Sequence, residues 1–167
     1  MLETLHRIVQ AVNAASDFRQ ALDIIVERVA KATDGDVCSV YLLEADGGHL
    51  GLMATQGLNP EAVGTVRLPL SEGLVGLVAQ REESINLNDA DRHPRFRYFP
   101  ETGEERFHSF LGVPIIHYQS RLGVLVVQRQ ARERFSDAEV AFLVTMAAQL
   151  AGVMAMNGPR QCVGAGP

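Results

Sequence analysis

The stretch Ser109–Gln128, SFLGVPIIHYQSRLGVLVVQ, decides the architecture. Its two halves, Ser109 to His117 and Leu122 to Gln128, are apolar runs of strand length with a β-branched bias. Runs that short, with that composition, read as strands rather than helices. Tyr118-Gln119-Ser120 leaves room only for a tight turn, so the two halves form a hairpin. Leu122 to Val127 has no polar alternation, which predicts a strand covered on both faces. Pro114 has no amide hydrogen and predicts a bulge or an unpaired amide side in its strand.

Working outward, Val37 to Leu43 and His49 to Gln56 form a second hairpin around Ala45-Asp46-Gly47-Gly48. Val66 to Leu70 and Ile85 to Leu87 are short strands, and Gly73 to Gln80 is a small helix. At both ends the apolar period lengthens to that of a helix. Leu2, Leu5, Ile8, Val9 and Val12 make one stripe. Phe18, Ala21, Leu22, Ile25 and Val29 make a second, behind the capping residues Ser16 and Asp17. Gly35 is expected to end that helix in a left-handed cap. In the last helix Ser136 and Glu139 form a capping box, and Phe135 with Val140 the matching hydrophobic staple. Asn88 to Glu105 is long, polar and aperiodic, the mark of a functional or mobile loop. Beyond Asn157 the segment 158–167 has no pattern and is expected to be a disordered tail.

The order predicts one α+β domain over residues 1–157, with residues 1–15 a flanking helix. A central antiparallel sheet of about six strands carries the long N- and C-terminal helices on one face. The short helix and the long loop close a cleft on the other face, the natural ligand site.

Composition narrows the function. A length of 167 residues suits one domain. A net charge of −5 argues against a general nucleic-acid binder. Cys38 and Cys162 have no pairing motif and read as free thiols of a reducing, cytoplasmic compartment. The opening Met-Leu-Glu-Thr-Leu-His-Arg is charged and helical, not a signal peptide. Val140 to Met156 carries no charge over about 17 residues, the lower limit for a membrane span. Leu143, Met146, Leu150, Val153 and Met154 recur there at helical spacing, so a core helix is expected and no membrane. Phosphate-binding, dinucleotide, serine-hydrolase and zinc-protease motifs are all missing. The 5 histidines show no paired ligand spacing, so neither metal nor cofactor is expected. Glu104 and Glu105 are adjacent and do not make an acid/base pair.

Two stretches carry candidate chemistry. Glu72-Gly-Leu-Val-Gly76 puts Gly73 and Gly76 at a helix start, where bare amides could meet an anion. Close packing of that helix explains the same glycines. Arg92-His-Pro-Arg-Phe-Arg-Tyr-Phe99 interleaves bases with aromatics, but Asp89, Asp91, Glu101, Glu104 and Glu105 cancel the field nucleic acid requires. Two readings stand: a ligand lid whose arginines grip a carboxylate, or a loop with internal ion pairs.

The element order resembles that of GAF domains, small-molecule sensing and dimerising modules. The local text is similar to the N-terminal GAF domains of the nitrogen-related Enzyme I family, phosphoenolpyruvate–protein phosphotransferases. Val37-Cys-Ser-Val-Tyr-Leu42, Glu72–Gly76, His93–Phe99, Gly103–Phe107, Ser109–Ile115, Leu122–Gln128 and Phe142-Leu-Val-Thr145 carry the resemblance. It spans about residues 1–156. It implies a non-catalytic sensor, cut from the N-terminal end of a longer enzyme, that binds a nitrogen-status metabolite such as glutamine or 2-oxoglutarate. The partners implied are the downstream transferase domains of the same chain. In this reading Arg95 and Arg97 hold a carboxylate, Tyr98 and Phe99 cover it, and Thr102 and Ser109 add polar contacts beside Gly73 and Gly76. The rival is a ligand-free homodimerisation module paired through Leu2, Leu5, Val9 and Val12. A third reading is the sensor domain of a sigma-54-dependent nitrogen-fixation activator. An apolar, filled interior beneath the loop would favour the interaction module.

Overall fold

Alternation sorts the apolar side chains of the strands onto two faces. In the computed structural model, residues 2–100 and 107–157 are described. The strands are β1 (Val37–Leu43), β2 (His49–Gln56), β3 (Arg67–Pro69), β4 (Ile85–Leu87), β5 (Ser109–His117) and β6 (Ser120–Arg129). They form one antiparallel sheet in the order β3-β2-β1-β6-β5-β4. Cys38, Val40, Leu42, Leu125 and Val127 face one side, and Tyr41, Val124 and Val126 face the other. The sheet therefore divides two cores, as strand pleating requires.

The first core is closed by helices α1 (Leu2–Asn13), α2 (Phe18–Ala32) and α4 (Asp137–Asn157). Asp17 caps α2 by accepting from the Gln20 amide at 2.8 Å. Its left-handed terminal residue is Asp34, with φ 52°, rather than Gly35. Aspartate tolerates that region better than most side chains, so glycine was not needed for the cap. The expected box at α4 is present: the Ser136 amide donates to Glu139 Oε1 at 2.9 Å, and the Glu139 amide donates to Ser136 Oγ at 3.1 Å.

The N-terminal helix departs from expectation. The stripe on α1 is not short of apolar partners within the chain, because Ile8 and Val12 are buried in the first core, where α1 packs on α2. Val12 is thereby withdrawn from any contact with another subunit. Leu5 and Val9 are half-buried, and Leu2 is 79% exposed. Helix α4 is long and apolar enough to cross a membrane by length and composition alone. Yet Phe142, Leu143, Met146, Ala147, Leu150, Ala151 and Met154 are buried in the first core, as a core helix requires.

Pro114 pairs with Val124, and β4 covers only Phe110 to Gly112 of that strand, so the proline has a strand on one side only. The bulge lies on the opposite strand, where Leu122 is the extra residue between the Ile115–Gly123 and Ile116–Arg121 pairs. Tyr118 makes the turn with φ 56°. β6 outruns its expected ends because the ladder continues to the Ser109–Arg129 and His117–Ser120 pairs.

Candidate ligand cleft

The second core lies under helix α3 (Gly73–Arg81). Gly112 on β5 lets that helix approach, since a Cβ there would stand 2.9 Å from Val78 Cγ2. Gly76 is a packing residue of the same kind: a Cβ would meet Leu70 O at 2.5 Å. Gly73 has φ +77°, and Phe99 lies against it, 3.1 Å from where its Cβ would be. Glu72 stands at the N-cap position of α3 but makes no side-chain cap bond. Its carboxylate pairs instead with Arg97, whose guanidinium lies 5.0 Å from the centre of the Phe99 ring.

The segment from Asn88 to Pro100 crosses this face as a strap. Long, polar and aperiodic though it is, the strap is pinned at several points. Ala90 is buried, and its amide donates to His108 O at 2.7 Å. Arg132, in the connection between β6 and α4, pairs with Asp89 and Asp91. Desolvation acts to raise the Asp91 pKa, but hydrogen bonds from Arg132, with His108 Nδ1 nearby at 3.4 Å, outweigh it and hold the carboxyl below its usual range. Asn86 and Phe135 exchange two hydrogen bonds of 2.9 and 3.3 Å, joining β4 to the residue before the α4 cap. Phe96 and Phe99 pack against the second core.

Strap and sheet enclose a cavity of about 30 Å³. Tyr41 and Gln128 line it, both on the α3-facing side of their strands, together with Leu74, Phe96, Arg97 and Phe99. That space holds about one or two water molecules and no metabolite. A larger open groove of about 640 Å³ lies at the far end of the sheet, between the hairpin turns and the end of α4.

The site residues expected from sequence divide accordingly. Arg97 and Phe99 reach the cavity, and Gly73 lies beneath Phe99. Tyr98 is exposed and outside the lining. Arg95 also stands outside, donating to Gln80 Oε1 at 3.0 Å, Leu70 O at 3.1 Å and Gly73 O at 3.3 Å. Ser109 is fully buried elsewhere, donating to Ala131 O at 2.6 Å and accepting from the Glu133 amide at 2.8 Å. Thr102, with Glu101, Glu104 and Glu105, lies outside the described residues. Tyr41 and Gln128 went unnoticed in the sequence; the available signal was strand alternation, which puts both on the face opposite Cys38. Burial pushes the Cys38 thiol well above its usual range, as packing alone predicts. Among the described residues Glu44, Asp46 and His49 could converge on a cation, but Arg67 already pairs with both carboxylates.

Comparison with known proteins agrees with the fold. Residues 17–154 match the family model described as the GAF domain. The phosphoenolpyruvate-dependent phosphotransferase system protein of Escherichia coli K12 is 46% identical over 157 residues, 94% of this chain but 21% of that protein. The Nif-specific regulatory protein of Herbaspirillum seropedicae is 31% identical over 90% of this chain and 28% of its own length. The chain thus spans less than a third of the length of these curated relatives. The solved GAF domain of a Coxiella burnetii phosphoenolpyruvate-protein phosphotransferase superposes with a TM-score of 0.90 at 46% identity, covering 98% of this chain and 96% of that one.

Proposed function

The chain belongs to the GAF domain family, and from that premise we propose that it senses a small carboxylate-bearing metabolite beneath the strap and thereby controls an attached phosphoenolpyruvate–protein phosphotransferase. The segment is a sensor domain, and in its phosphotransferase relatives the catalytic parts lie in other domains. One observation carries the ligand reading: polar Tyr41 and Gln128 line an otherwise apolar cavity with the cation Arg97, beneath a strap with two phenylalanines. Few polar groups converging in an apolar cleft are what fix a small ligand's orientation. The kinship with a Nif-specific regulator favours a nitrogen-status signal, and glutamine and 2-oxoglutarate both carry the carboxylate that Arg97 suits.

In the cytoplasm the effect would be a population shift. Ligand rearranges the strap, and Arg132 with the Asn86–Phe135 bonds pulls on the connection that leads into α4. A thermal-shift series with glutamine, 2-oxoglutarate and related acids tests this. At a hundredfold excess over its dissociation constant a true ligand adds about 2.7 kcal/mol, raising the melting temperature by roughly 5–10 °C. A flat response to every compound would end the sensor reading.

A second reading rests on the near-filled cavity, which favours an interaction module. The outward residues Ala141, Val144, Thr145, Ala148 and Ala155 of α4 carry no charge and suit a homodimer contact.

A further inference from the structure

We infer that Arg129 is the positioning residue through which a movement of the strap reaches α2 and α4, with the cap of α4 as the part that responds. The inference rests on the sensor reading above for what moves the strap, and on the contacts of Arg129 for where the movement goes. Arg129 ends β6, and its side chain is only 8% exposed. A buried guanidinium requires partners for donors that lie in a rigid plane. Two helices supply them. Nη2 donates to Thr33 O at 2.5 Å and to Glu139 Oε2 at 2.6 Å, and Nε donates to Asp34 O at 3.3 Å. Thr33 and Asp34 close the end of α2, while Glu139 stands in the first turn of α4. A cation suits the carbonyls at one helix end, and a carboxylate suits the amides at the start of the other. Glu139 is engaged twice, since its second oxygen accepts the Ser136 amide at 2.9 Å. The cap of α4 and its tie to α2 therefore share one carboxylate, and Arg129 fixes where that carboxylate stands.

The strap reaches Arg129 through the main chain. The Ala90 amide donates to His108 O at 2.7 Å, and the His108 amide donates to Arg129 O at 3.0 Å. It also reaches the group that covers the guanidinium. The Phe135 ring lies over it, with 4.1 Å from the guanidinium carbon to the ring centre. Phe135 is held by Asn86 of β4, the strand that leads into the strap. From the other side Asp36 brackets the same backbone: its amide donates to Gln128 O at 2.9 Å, and its carboxylate accepts the Gln130 amide at 2.8 Å. Arg129 is thus gripped by the strap on one side and by the α2–β1 connection on the other. A shift of the strap either carries Glu139 along or breaks its bond to Arg129. The second outcome loosens the first turn of α4, because a capping side chain then loses its anchor.

Solved GAF domains of related phosphotransferases stand alone, so the chain is tested as it is, by hydrogen exchange. No ligand is added. A flat thermal-shift series would end the sensor reading and leave these rates untouched. Glu139→Gln keeps an oxygen for the Ser136 amide, as a capping box permits, but removes the charge that Arg129 holds. It should speed exchange of the Ala90 and His108 amides at least about threefold, an effect that a cap serving α4 alone would not produce. The Leu52 amide, bonded to Val66 O two strands away from β6, should keep its rate. In the reciprocal direction, Asp89→Asn with Asp91→Asn detaches Arg132 from the strap and should speed the Ser136 and Glu139 amides by about threefold. Lysine at position 129 cannot span both helices with a single ammonium, so in Arg129→Lys the same two changes should add less than about 1.5-fold. Unchanged Ala90 and His108 exchange in Glu139→Gln overturns the inference, and so does a rise shared equally by Leu52, which reports global unfolding. Aspartate changes that leave the α4 cap unaffected, or act undiminished in Arg129→Lys, also overturn it, since the guanidinium would then carry nothing. If Arg129→Lys does not fold, the Glu139→Gln rates decide alone.

Discussion

Arg95 and Arg97 stand two positions apart on one strap and do different work. Arg95 spends its guanidinium on one side-chain and two main-chain oxygens around the start of α3. Arg97 is half-exposed and held by a single carboxylate. Arg95→Ala should therefore lower unfolding stability by about 1–2 kcal/mol, since bonds from a charged donor are lost and their acceptors are partly buried. Arg97→Ala should stay within about 0.5 kcal/mol of wild type. Urea denaturation measures both, and the reverse order would show that the roles have been exchanged. Nothing in the sequence separates these arginines, because both sit in the same alternation of base and aromatic. The distinction arises from which way a loop without periodicity happens to run. Ser109 misleads for a related reason: a polar residue at a strand end can face a ligand or pin the next turn, and it does the second. Tyr41 and Gln128 were hidden inside apolar strands, although alternation places them opposite Cys38 once the helix faces are known. Asp34 displaced Gly35 as the left-handed residue because local spacing at a helix end is settled by hydrogen bonds, here Gly35 to Ala30 O at 2.8 Å.

Elements, by contrast, were legible wherever periodicity or capping was strong. The hairpins and the capping box stand where the sequence put them, because pleat alternation and N-cap chemistry are local. The strap between β4 and β5 was not, because its anchors are long-range ion pairs and main-chain bonds. Its dependence on charge can be measured. The Asp91 carboxyl titrates below its ordinary value in the folded chain, since hydrogen bonds from Arg132 outweigh desolvation. A depressed carboxylate pKa stabilises the fold above the unfolded value, about 3.9, and that contribution disappears as pH falls through the folded value. The melting temperature of Asp91→Asn should accordingly lie below wild type at pH 6–7 and converge with it as the pH falls well below about 3.9. A gap that persists unchanged to the most acidic conditions would show that Asp91 acts through shape and not through charge.

At the scale of the molecule the sheet separates stability from proposed function. The large side chains Leu22, Ile25, Leu143, Met146 and Leu150 are fully buried on the side of α1, α2 and α4, while the strap and its cavity occupy the other side. Helix α4 belongs to the first side yet carries no charge beyond its first turn, with Val144 46% exposed. Its outward face, Ala141, Val144, Thr145, Ala148 and Ala155, offers no charge to water. Beside it α1 leaves Leu2 in solvent and Leu5 half-covered. Interface centres are depleted in charge in this way, whereas most of a monomer's surface is not. If this face closes a homodimer, Val144→Glu with Ala148→Glu should give a folded monomer, because both positions are exposed and neither feeds the core. Glutamates at Ile8 or Val12 would not be a fair test, since both are buried within the chain's own core. Sedimentation equilibrium should show dimeric wild type and a monomeric double variant, with superimposable circular dichroism spectra. Wild type that remains monomeric at high concentration would remove the dimer reading and leave the cleft alone to explain why the domain is there.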